Sequence, residues 1–132
     1  MRDILQDIHQ YNHQLTISQV VTFFERKGRT VTRSMIQNYV RDGLLPPPLK
    51  KRHYTHKHLA VLALTDALKT VYEMADVRTA LLPLIDNEGI DLDVYRDLIR
   101  KTEEMPQYSD KDPLVIMAYS AGLKSEAISR LR

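Results

Sequence analysis

Apolar residues recur at helical spacing along most of the chain, and polar punctuation cuts that pattern into segments. Ile4, Leu5, Ile8 and Tyr11 mark a short amphipathic helix over residues 1–11. Thr16 and Gln19 then form a Thr-x-x-Gln capping box, in which each side chain satisfies a free backbone N–H at a helix start. Leu15 and Val20 flank the box as a hydrophobic staple, and Val20, Phe23 and Phe24 supply a buried stripe. Lys27-Gly28-Arg29 ends the stripe in a turn. Thr32 is a second N-cap, with Val31 and Ile36 at staple spacing, and it launches a helix that Gly43 stops. Ile36, Tyr39 and Val40 fall on one face of this helix, leaving Arg33, Ser34, Gln37, Asn38 and Arg41 on the other.

Leu44-Leu45 and the stiff run Pro46-Pro47-Pro48 lead into Leu49-Lys50-Lys51-Arg52-His53-Tyr54, too short and too basic for a core helix. Residues 49–54 are therefore read as a small β-hairpin. Thr55 caps a long helix from His56 to Tyr72, whose stretch Leu59-Ala60-Val61-Leu62-Ala63-Leu64 is apolar on every side and must lie at the centre of the fold. Glu73 to Ile85 reads as another helix, with Met74, Val77, Leu81 and Ile85 inward and a disturbance at Pro83. Asp86-Asn87-Glu88-Gly89 is a polar break, which divides the chain into residues 1–86 and 87–132. Beyond it, Asp91 caps a helix through Glu104 that places Leu92, Tyr95, Leu98, Ile99 and Thr102 on one side. Residues 105–110 form a loop, and Asp112-Pro113 opens a last helix. Gly122 is expected to end that helix, with Ser125 capping a final turn that carries Ile128 and Leu131.

Charge changes this picture through its position. Residues 26–58 hold nine basic side chains against the single acid Asp42, a local charge of +8, while the rest of the chain carries −6 to give +2 in all. A chain polarised in this way presents one surface to a polyanion. The 132 residues and 43% hydrophobic content suffice for one core. Zero cysteines exclude disulfides and thiolate metal sites. No apolar run is long enough to span a bilayer and no signal peptide is evident, so a cytoplasmic protein is expected.

Two short helices around a turn, the second with a polar face, followed by a basic ribbon, are the parts of a winged helix-turn-helix. The expected fold class is mainly α, a winged helix-turn-helix with a small β-hairpin wing plus C-terminal helices. Such a helix, residues 32–41, enters the major groove and presents its outward side chains to base edges. Gln37 and Asn38 have the amide geometry to bind adenine, Arg33 reads guanine or phosphate, and Ser34 donates to either. Arg29, Thr32 and Arg41 flank them, and Lys50, Lys51 and Arg52, with His53 and Tyr54 at the ribbon's base, are placed to clamp phosphates.

The run Met35-Ile36-Gln37-Asn38-Tyr39-Val40-Arg41-Asp42-Gly43-Leu44-Leu45-Pro46, followed by Arg52-His53-Tyr54 and a long helix, resembles the DNA-binding domain of MerR-type regulators. The resemblance covers roughly residues 15–85. It implies that Ile36 and Tyr39 anchor a recognition helix, that Gly43-Leu44-Leu45-Pro46 makes the following turn, and that Arg52 and Tyr54 grip phosphate. Val77 and Leu81 match that family's closing Ile-x-x-x-Leu segment, while Gln37 stands where the family has arginine. The whole chain is similar to a bacterial family, common in Gram-positive organisms, that fuses such an N-terminal half to a short helical C-terminal half.

His9 with His13, and His53, His56 and His58, lack the further ligands of a metal site and read as surface or capping residues. Asp86, Glu88, Asp91 and Asp93 lack the glycine and closing glutamate of a calcium loop. With no phosphate loop or nucleophile motif, neither an enzyme nor a cofactor is expected. The expected partners are double-stranded DNA and a second copy of the chain, with residues 87–132 as the pairing module and no membrane. The alternatives are a protein-interaction module for an acidic partner and an architectural or recombination-accessory DNA binder.

Overall fold

A computed structural model describes residues 7–8, 15–105 and 112–131. The amphipathic helix expected over residues 1–11 lies outside them except for Asp7 and Ile8, which are helical; Ile8 is buried, and Asp7 pairs with Lys27. Among the described residues there are six α-helices: α1 (Ile17–Arg26), α2 (Arg33–Arg41), α3 (His56–Leu68), α4 (Met74–Leu81), α5 (Leu92–Glu103) and α6 (Pro113–Leu131).

The caps fall where side-chain chemistry puts them. Thr16 Oγ1 accepts from Gln19 N–H at 3.2 Å and Gln19 Oε1 accepts from Thr16 N–H at 2.8 Å, so α1 begins with a closed box. Thr32 Oγ1 accepts from Met35 N–H at the start of α2. Gly28 and Gly43 take positive φ of 70° and 79° at the two turns, a conformation that costs glycine little. The backbone N–H groups of Leu44 and Leu45 return to the Tyr39 carbonyl, and Arg78 donates to the Asp42 carbonyl, so the end of α2 has its acceptors filled.

The centre of the molecule is α3. Every residue from Leu59 to Leu64 is buried, and Thr65 survives inside by donating to the Val61 carbonyl at 2.8 Å. This helix stops at Leu68 rather than Tyr72. Val71 and Tyr72 N–H both turn back to the Leu68 carbonyl, and the Thr70 hydroxyl takes the Ala67 carbonyl. The segment with Pro83 likewise splits into α4 and a 3-10 turn over Leu82–Leu84. One apolar cluster runs across Asn87, joining Val20, Phe24, Ile36 and Leu62 on one side to Tyr95, Ile99, Leu114 and Ala118 on the other.

Two expectations are corrected. The β-hairpin wing is absent, and among the described residues there is no strand at all: residues 50–52 form a 3-10 turn closed by a single Leu49–His53 bridge. The reason is a shortage of free backbone groups. The next rung beyond Leu49 and His53 would pair residue 47 with residue 55, but Pro47 has no N–H and the Thr55 N–H is committed to His58 Nδ1 at 3.0 Å. The fold is therefore an all-helical bundle and not a winged helix-turn-helix. Nor does Gly122 end the last helix, since it does not take the positive φ found at Gly28, Gly43 and Gly89, and α6 continues to Leu131.

Candidate nucleic-acid interface

In α2, Ile36 is fully buried and Tyr39 and Val40 pack half-buried on the core, while Arg33, Ser34, Gln37, Asn38 and Arg41 are exposed. The polar side chains therefore lie outside the core. Their local partners are few. Arg33 donates to Ser18 Oγ at 2.7 Å, and Arg41 donates to Asn38 Oδ1 at 2.7 Å with Asp42 at 3.9 Å. Thr32 is exposed, its hydroxyl spent on the cap.

The Lys50–Arg52 turn stands beside the start of α2. Ser18, the partner of Arg33, lies in the first turn of α1, which follows Leu15 and its bridge to Tyr54. Burial raises the Tyr54 phenol above its ordinary pKa, and the Arg33 charge acts against that rise across the same gap. The N-terminal ends of α1 and α2 and the base of the cationic turn thus share one side of the molecule. Lys50 and Arg52 are exposed, and the backbone of Arg52 has φ 60°, a left-handed conformation that any residue with a Cβ resists.

Several expected contact residues have other tasks. Tyr54 is 5% exposed, its ring packed edge-on against His58 at 5.2 Å, so it belongs to the core. His53 is half-buried. Arg29 is half-buried and paired with Asp66 at 3.2 Å, which fastens the turn after α1 to α3. The side chain of Lys51 lies outside the described residues.

His58 is a site feature that the spacing of the histidines did not reveal. It is completely buried; its Nδ1 accepts from Thr55 N–H at 3.0 Å, and its Nε2 donates to the Pro47 carbonyl at 3.2 Å. It fills the role at α3 that Gln19 fills at α1, and it pins the proline run to the base of the turn. Thr55-x-x-His58 has the spacing of a capping box, with imidazole in place of carboxylate or amide. Burial pushes its pKa below the ordinary imidazole value, the Pro47 and Pro46 carbonyls and Glu88 acting the other way and Lys57 adding to the fall. Among the described residues no group of three His, Asp or Glu side chains is arranged to hold a metal ion.

Fold and site together define an all-helical domain that displays a rigid, polar-faced helix next to a cationic turn. The family described as "Domain of unknown function (DUF1836)" matches residues 5–108, and the chain belongs to it. No curated protein and no solved structure matches the chain. Helix α6 lies beyond the matched segment. No helix among the described residues is long and apolar enough to cross a membrane.

Proposed function

We propose that this chain is a DNA-binding transcription regulator that sets α2 in the major groove and rests the Lys50–Arg52 turn on neighbouring phosphates. One observation carries the reading. Arg33, Ser34, Gln37 and Asn38 are all exposed on a helix whose opposite side is anchored by Ile36, and Arg33 lies within electrostatic reach of Tyr54, where the turn bearing the exposed Lys50 and Arg52 joins the fold. Amide and guanidinium groups held on a rigid helix suit base edges, and flanking cations suit the phosphate backbone. A helix of nine residues reads too few base pairs to single out one site, so the protein acts as a two-fold dimer on a palindromic sequence.

Selection of bound sequences from a random duplex pool tests this directly. The expected result is a palindromic consensus, with binding that weakens steeply as salt rises because phosphate contacts release counterions. Failure to shift any duplex at micromolar protein and low salt overturns the reading.

A further inference from the structure

Ser34, Gln37, Asn38 and Arg41 stand three or four residues apart along α2, so they share one exposed face of the helix. Two of them are tied together. The Arg41 guanidinium donates to Asn38 Oδ1 at 2.7 Å, and Arg41 Nε lies 3.9 Å from Asp42 Oδ1. An amide has one end that accepts and one that donates, whereas arginine only donates, so Arg41 fixes which way round the Asn38 amide sits. The oxygen is held on the arginine, and the Nδ2 hydrogens are left for a ligand. Among the described residues no hydrogen bond fixes the Gln37 amide in this way.

We infer that Asn38 and Arg41 act as one unit that selects guanine, with Arg41 as the positioning residue for the Asn38 amide. The inference rests on the DNA-binding reading of α2. In the major groove adenine shows an acceptor at N7 and a donor at N6, and the bidentate contact of an asparagine with it uses the amide oxygen and nitrogen together. Here the oxygen is engaged by a cation, whose charge repels the N6 hydrogens. Guanine shows two acceptors, N7 and O6, on the same edge. Asn38 Nδ2 and the remaining guanidinium N–H groups are all donors, which suits a pair of acceptors and not a mixed edge. The Arg41 side chain is 72% exposed, so its bond to Asn38 adds little to stability, and its effect falls on the choice of base. The two amides of this face thus read differently: Gln37 keeps the mixed pattern that fits adenine, and Asn38 does not.

Selection from a random duplex pool, run with the wild-type chain and with Asn38→Ala, Arg41→Ala and Arg41→Lys, tests this. The wild-type half-site is expected to hold a guanine whose preference disappears in Asn38→Ala, which marks the position that Asn38 reads. Arg41→Ala releases the amide oxygen, and the same position is expected to change from guanine to adenine, the ratio of the two falling about ten-fold or more while other positions stay as they were. Arg41→Lys still donates to the oxygen and keeps guanine. An Arg41 that only grips phosphate gives another result, weaker binding to every sequence with the consensus unchanged, and that outcome overturns the inference. So does an adenine at the Asn38 position of the wild-type consensus, or an Asn38→Ala variant that alters no position. A wild-type chain that enriches no sequence overturns the DNA-binding reading itself and the inference with it.

Discussion

Arg52 spends backbone energy where a glycine would not. A non-glycine residue at φ 60° carries roughly 1–3 kcal/mol of strain, retained here on an exposed cationic side chain. Arg52→Gly is expected to raise stability in urea by about 1 kcal/mol while weakening duplex binding, a combination that a purely structural residue would not give. Gly89 shows the opposite economy. It has φ 137°, and a Cβ there would stand 2.3 Å from the Lys57 carbonyl oxygen, a backbone atom that cannot swing aside. Gly89→Ala should lower stability by about 3 kcal/mol or more in the same urea assay.

His58 gives a pH dependence whose direction follows from its neutral native form. The unfolded chain takes up its proton near the ordinary value of about 6.5, and the folded chain only at lower pH. Stability is therefore complete above that ordinary value and declines as pH falls from it towards the lowered folded value. Protonating Nδ1 would also turn the acceptor of Thr55 N–H into a second donor. Thermal melts across this range should show the decline, and His58→Gln, which supplies the amide already used at Gln19, should flatten it. His56, also lowered chiefly by burial, leaves a smaller slope in the variant.

At the scale of elements, the legible features were those encoded over three or four residues. Thr16 with Gln19, Thr32, Thr55 and Asp91 all cap where the sequence places them, because a cap is a contact between near neighbours. The helix starts and the apolar faces of α2 and α5 followed from the same short-range rules. The hairpin was misread because its second rung fails twice, at Pro47, which has no N–H, and at Thr55, whose N–H goes to the buried ring of His58. The last helix was misread because a glycine stops a helix only where the chain turns, and packing near Gly122 offers no turn. Exposure of the α2 polar face was legible; the diversion of Arg29 to Asp66, a partner 37 residues on, was not. Thr32→Ala should cost about 1 kcal/mol by removing the cap of α2, and duplex affinity should fall with it as the first turn frays.

At the scale of the whole molecule, charge is segregated while the core is shared. Of the basic stretch, Arg33, Arg41, Lys50 and Arg52 are exposed while Lys27, Arg29 and Lys57 pair with Asp7, Asp66 and Asp86, and the acidic C-terminal half is joined to it by the apolar cluster on both sides of α3. Arg33→Ala and Lys50→Ala, read by fluorescence anisotropy with a labelled duplex, should separate two contributions. The first is expected to change the preferred sequence as well as the affinity, and the second to weaken all sequences alike and reduce the salt slope by about 1.

The Lys57 carbonyl accepts from Ile90 N–H at 3.2 Å, only three residues after Tyr54 closes the base of the cationic turn. A short length of main chain is thus clamped from two directions, by Leu15 at one point and by the loop leading into α5 at the other. That strip runs through the buried Tyr54 and Thr55, so a displacement of α5 is expected to reach residues 50–54 along the main chain.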